Sequence, residues 1–127
     1  MSDCFKPLHI LVKPFPPVFS HDHVNTEETK PLVVSCTSDG SRPAAVFNWF
    51  LGDGNINLTA NSTQQTVHNT STDTFIVTST FIYRVDRRYN GQIIVCSVSN
   101  DATLSAVTSI EVLDVKCKER IMFSWII

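Results

Sequence analysis

The sequence predicts an all-β protein: two antiparallel sheets packed face to face, about seven short strands in a Greek key. Three observations lead there. Apolar and polar residues alternate at period two in segment after segment. Gly, Asn and Asp fall between those segments, where the chain must reverse and positive φ is tolerated. No window carries an apolar i, i+3, i+4, i+7 stripe with helix caps.

In chain order, Lys30 to Thr37 reads as a strand with Leu32, Val34 and Cys36 on one face. Val46 to Leu51 follows, with Phe47 and Trp49 in phase. Thr74 to Val85 alternates Phe75, Val77, Phe81, Tyr83 and Val85. Gln92 to Ser99 groups Ile94, Cys96 and Val98, and Leu104 to Val115 closes the set with β-branched residues. Ser38-Asp39-Gly40-Ser41, Asp53-Gly54, Asn90-Gly91 and Asn100-Asp101 supply the turns.

A length of 127 residues suits one domain. Apolar residues at 43% and charged residues at 17% describe a chain that buries a core, not a disordered one. The net charge of −2, spread without long runs, offers no basic stripe for nucleic acid. No stretch is apolar for the ~18 residues a membrane helix needs. Met1 to Val18 lacks the form of a signal peptide, because prolines interrupt its short apolar run. Both ends read as cut from a longer chain, so a membrane would be reached only through parts absent from this sequence.

Cys36 and Cys96 each fall in a predicted strand, with Trp49 thirteen residues after the first. An immunoglobulin-like β-sandwich needs this arrangement: one cysteine from each sheet, with an indole against the bridge. Closing so long a loop stabilises by about 4 kcal/mol in the chain-entropy model. The other reading is a reduced domain with two buried thiols; strand phase, tryptophan spacing and glycosylation sequons weigh toward an oxidising compartment. Cys4 and Cys117 remain; they could pair with each other or with other parts of a longer chain, and no functional role is assigned to them.

Gly40-Ser41-Arg42-Pro43-Ala44-Ala45, followed by Val46-Phe47-Asn48-Trp49, resembles a signature of immunoglobulin domains in cell-adhesion receptors. It is similar to the second, constant-like domains of nectins and nectin-like molecules and to domains of nephrin-type receptors. Thr78-Ser79-Thr80-Phe81, then Asp86-Arg87-Arg88-Tyr89-Asn90-Gly91 and Cys96, extends the likeness, which covers about residues 18 to 116. The position two before the second cysteine, a tyrosine in most immunoglobulin domains, holds Ile94. That departure suits the adhesion subtype and argues against an antibody-type variable domain. The resemblance implies a domain over 18–116, with 1–17 as the last strand of a preceding domain plus a stiff Pro14-Phe15-Pro16-Pro17 linker, and 117–127 as a tail. A first strand kinked by proline is the other reading of 1–17.

Asn57-Leu58-Thr59, Asn61-Ser62-Thr63 and Asn69-Thr70-Ser71 are N-glycosylation acceptors in a polar segment between strands, Asn55 to Thr74. Sugar there shields that edge and directs attention to the opposite sheet. Asn48 and Phe50, with Ile93, Val95 and Ser97, are out of phase with Trp49 and Cys96 and face outward. Asn48, Phe50, Ile93 and Val95 are therefore the candidate partner-binding face. The plainer reading is that a neighbouring domain or a loop covers them.

His21-Asp22-His23 lacks the further ligands zinc requires, and Arg84, Arg87 and Arg88 with Asp86 read as a solvated charged turn. No nucleophile elbow, phosphate loop or metalloprotease motif occurs. The expectation is a binding module without catalytic residues, metal, cofactor or small-molecule substrate. It sits at the cell surface or is secreted, and recognises a protein on another cell or a copy of itself. An immune-type receptor or ligand ectodomain shares this fold, and a spacer without a ligand of its own is the third reading.

Overall fold

Alternation at period two commits each predicted segment to extended backbone, and the computed structural model, which describes residues 10–21 and 24–117, folds them into two stacked sheets. The strands are β1 (Val18–Phe19), β2 (Val24–Glu27), β3 (Pro31–Ser41), β4 (Val46–Leu51), β5 (Ile56–Asn57), β6 (Ser62–Asn69), β7 (Thr74–Arg84), β8 (Ile93–Ser99) and β9 (Val107–Lys116). One sheet has the order β1-β3-β7-β6 and the other β2-β9-β8-β4-β5. All ladders are antiparallel except β2 with β9. The chain's first extended segment starts in one sheet as β1 and finishes in the other as β2, running alongside the last strand.

Both inner faces supply the core. Leu32, Val34 and Cys36 on β3, with Val77 and Phe81 on β7, meet Phe47, Trp49 and Leu51 on β4 and Ile94, Cys96 and Val98 on β8. Each such fully buried side chain contributes about 1.5–3 kcal/mol. Cys36 and Cys96 are joined across the sandwich with their Cα atoms 6.7 Å apart. Trp49 sits opposite Cys96 in the β4–β8 ladder, stacks on Phe81 at 5.2 Å between ring centroids, and donates its indole N–H to Ser79 Oγ at 2.8 Å. That bond satisfies a polar atom that would otherwise be buried unpaired. Ile94, in the place of the usual tyrosine, is fully buried in this core. The crossing from β7 to β8 is held by other bonds: Asp86 caps Arg88 N, and Asn90 Oδ1 accepts from Val115 N.

Three expectations are corrected. Ser38–Ser41 is not a turn but the end of β3, which runs on through a register shift between Ser38 and Ser41. Gly40, at φ 76°, makes that bulge, and the Phe15 ring lies where its Cβ would be. The polar segment 55–74 contains two strands. β6 is almost wholly exposed because it is the outer edge of its sheet, beyond the rim of the core, so neither phase of its side chains needed to be apolar. β9 starts at Val107, since the loop after Asn100 runs on through Ala106.

Residues 10–17 form no regular strand but lie along this domain, with Val12 bridged to Arg42. Leu8, His9, Cys4, Asp22 and His23 fall outside the described residues, as does the tail beyond Cys117, which is itself exposed and unbridged. His21 is exposed and contacts the Ser20 hydroxyl. Among the described residues no group of three or more potential metal ligands comes together, and no helix is long and apolar enough to cross a membrane.

Candidate functional site

In an antiparallel ladder, directly paired residues point to the same face. Outward residues of the five-stranded sheet can therefore be read from its registers. Asn57 pairs with Phe50, Phe50 with Val95, and Val95 with Ile110, a row crossing β5, β4, β8 and β9. Ile93 pairs with Val112 one step along, and Asn48, Ser97 and Thr108 form the next row on the other side. The centre of this face is thus five apolar side chains from three adjacent strands.

Their exposure is graded. Val95 on the central strand is only 9% exposed, yet it belongs to none of the core packing. It is shielded from the sides by its ladder neighbours rather than from within. Phe50 and Ile93 are half-buried, while Ile110 and Val112 stand 54% and 56% exposed. Uncharged polar groups border the patch. Among the outward-phase residues of the described β8–β9 and β2–β9 ladders, charges lie toward the β2 end of β9, where Asp114 and Lys116 pair with Asn25 and Glu27. An uncharged apolar centre with a polar border is the composition of a protein-binding surface.

The structure brings together all four predicted face residues, Asn48, Phe50, Ile93 and Val95, on β4 and β8. Ser97, also expected to face outward, is on the same face but buried. Asn48 is the most constrained of the predicted four. Its Oδ1 lies 3.2 Å from Thr59 Oγ1, which accepts from Trp49 N and donates to Asn57 Oδ1 at 2.7 Å. Sequence reasoning missed Ile110 and Val112. Both phases of that strand hold apolar residues, so parity was ambiguous there; counting back from buried Leu113 and Val115 would have resolved it.

The three sequons do not share one edge, which corrects the expectation of a sugar-coated edge opposite the candidate face. Asn57 is on β5, on the same outer face as Phe50. Asn61 closes the short 3₁₀ turn that carries the chain to the other sheet. Asn69 ends β6 at the opposite pole and accepts from Ser71 N. β5 holds Asn57 at the border of the patch because its two residues extend the β4 edge, and a glycan there would frame the patch rather than leave it distant.

At the β7–β8 crossing, the Asp86 carboxyl is held below its ordinary value by the side-chain hydrogen bond from Arg88, and the Arg88 guanidinium is raised by the same contact. Both are solvent-exposed, so this ion pair stiffens a turn and marks no chemistry.

Residues 20–106 match the family of CD80-like C2-set immunoglobulin domains. The chain belongs to that C2-set family. Among curated relatives, Cell adhesion molecule 2 of Xenopus tropicalis is 34% identical over 74 residues, 58% of this chain and 16% of that protein. Cell adhesion molecule 3 of Mus musculus is 31% identical over 97 residues, 76% of this chain and 24% of that protein. The chain therefore spans about a quarter or less of the length of these relatives. The ectodomain of mouse nectin-like molecule 4 (Ig1–Ig3) superposes with a TM-score of 0.70 at 30% identity, covering 86% of this chain and 36% of that one. The structure titled Rst D1-D2 superposes at 0.75 and 21% identity, over 84% and 51%, and speaks to the fold alone. The chain is thus a C2-set immunoglobulin domain similar to domains of cell adhesion molecules.

Proposed function

We propose that this C2-set domain is an extracellular recognition module within a tandem chain, and that it binds a protein partner, a second copy of itself or another surface protein, through the outer face of its five-stranded sheet. The observation that carries the reading is the row Phe50–Val95–Ile110 with Ile93 and Val112 beside it, partly open to solvent and free of charge. The names of the relatives, the multi-domain ectodomain of the nectin-like neighbour and the Cys36–Cys96 bridge support placement outside the cell. Contacts of this size are weak singly and gain from many copies on apposed surfaces.

The test is Phe50→Asp in secreted protein, with Val33→Asp on the other sheet as control. Self-association by sedimentation, and capture of cells bearing candidate partners by multimerised protein, should vanish for Phe50→Asp alone. Both variants should keep the wild-type far-UV spectrum. If Phe50→Asp folds and every interaction persists, the domain is a spacer; if it unfolds, Phe50 is core and the face is misassigned.

A further inference from the structure

The Gly40-Ser41-Arg42-Pro43 segment has so far appeared only as a family mark, but in the structure it performs a task. Arg42 lies at the pole of the sandwich where β3 ends, and its guanidinium gathers carbonyls from two segments. Nε donates to Asp73 O at 2.7 Å, Nη2 to Thr72 O at 3.2 Å and Nη1 to Ile10 O at 3.0 Å. Asp73 adds its carboxylate at 3.7 Å and is itself in the left-handed region at φ 54°. The Arg42 backbone completes the seat: Val12 N donates to Arg42 O at 2.8 Å, and Arg42 N donates to Val12 O at 3.0 Å.

A second clasp acts from the β8–β9 loop. Asn100 Nδ2 donates to Val12 O at 2.8 Å and to Pro43 O at 3.0 Å, while its Oδ1 accepts from Ala102 N. Further along, Phe15 N donates to Asp39 O, Ser38 Oγ donates to Phe15 O, and the Phe15 ring covers Gly40. Residues 10–17 are thus bonded both to the end of β3 and Arg42 after it and to the β8–β9 loop.

We infer that Arg42 and Asn100 are positioning residues that fix residues 10–17 as a rigid arm, so that the domain itself sets the direction in which the chain N-terminal to it departs. A planar fork with fixed, widely spread donors suits this task better than a lysine, whose three donors sit on one compact ammonium at the end of a flexible stem. The clasp leaves Ile10, Leu11 and Leu104 exposed on the same pole, the last beside Lys13 in a shallow groove. In the tandem chain proposed above, the arm fixes the angle to the preceding body. The arm is a property of this chain alone and does not depend on that reading.

Amide exchange and heteronuclear relaxation by NMR on the 127-residue protein test it. In wild type, the Val12 and Phe15 amides should be protected, and residues 10–17 should relax like the strands. Arg42→Ala should speed Val12 exchange about tenfold, the scale of one lost charge-assisted hydrogen bond, while the Cys36 and Cys96 amides stay protected. Arg42→Lys should recover little of the loss. Asn100→Ala should also release Val12, which keeps the test readable if Arg42→Ala does not fold. Solvent-rate exchange at Val12 in wild type, or unchanged Val12 protection in the folded variants, would overturn the inference.

Discussion

Across the middle of the four-stranded sheet the outward row is Thr63, Thr80 and Ser35; across the five-stranded sheet it is Asn57, Phe50, Val95 and Ile110. Both rows sit over the same core, one step from Cys36 and Cys96. On the first sheet, hydroxyls pair with each other in the centre, Ser35 with Thr80 at 2.9 Å and Thr37 with Thr78 at 3.1 Å, and apolar residues flank them, as with Val18 beside Thr37 and Val33 opposite Ile82. On the second, apolar residues are paired directly across the centre. A hydroxyl ladder satisfies its own hydrogen bonds and offers water a wet, even surface. An apolar row offers a partner area to remove from water. The proposed recognition face rests on this contrast between the two centres.

The strongest test removes what both faces share. Trp49→Ala takes away the indole between the sheets and leaves Ser79 Oγ without its partner, so stability should fall by about 3–5 kcal/mol in denaturant titration, and any association should go with it. A loss below about 1 kcal/mol would mean the sandwich does not rest on Trp49.

Next is the contrast itself. Ile110 and Ile82 are similarly exposed, at 54% and 50%, one on each outer face. Ile110→Asp should weaken partner binding or self-association at least ~10-fold, and Ile82→Asp should leave it within about twofold, both folded with stability changed by about 0.5 kcal/mol or less. Equal effects would erase the distinction between the faces.

The sequons sharpen the border of the patch. In protein made through a secretory pathway, removing the acceptor with Asn57→Gln should strengthen association, because any sugar there stands beside Phe50. Asn69→Gln, at the far pole, should leave it unchanged. Mass spectrometry of each variant confirms occupancy, and association weakened by Asn57→Gln would mean that the sugar belongs to the interface.

A smaller effect is expected on the four-stranded sheet. Thr80→Ala removes one partner from the Ser35 pair and should cost about 0.5–1 kcal/mol without changing association. Smallest is the turn that joins the two sheets. The Asp86 pKa is lowered in the folded state, so its contribution is present above the ordinary carboxylate value and is lost as pH falls through the folded one. Asp86→Asn should therefore slightly flatten stability below about pH 4 and leave neutral-pH binding untouched; an unchanged acid limb would show that the Arg88 contact adds nothing.

Much of the fold is legible in the sequence alone. The inward sets of β3, β4, β7 and β8, and hence their outward complements Asn48, Phe50, Ile93 and Val95, follow from parity once Cys36, Trp49 and Cys96 are taken as core. Parity failed where it had nothing to grip. β6 is polar in both phases and β9 holds apolar residues in both, which hides β6 and two of the five residues of the apolar patch. The Ser38–Ser41 stretch reads as a turn in the sequence because Gly and Asp serve turns and bulges alike; pairing of Ser41 with Phe75 across the register shift makes it a bulge.

By itself the sequence determined the class of fold, the bridge between the sheets and the hydrophobic phase of the four central strands, because a period-two pattern and its buried anchors are local properties of the chain. Tertiary structure decided which strands are neighbours, and with that the joining of Phe50, Val95 and Ile110 into one patch, the placing of Asn57 at its border and the meeting of Arg42 with Ile10 and Thr72. Those contacts join residues far apart in the chain. Their order across a sheet is set by the packing of two twisted layers around Trp49, which no local pattern records.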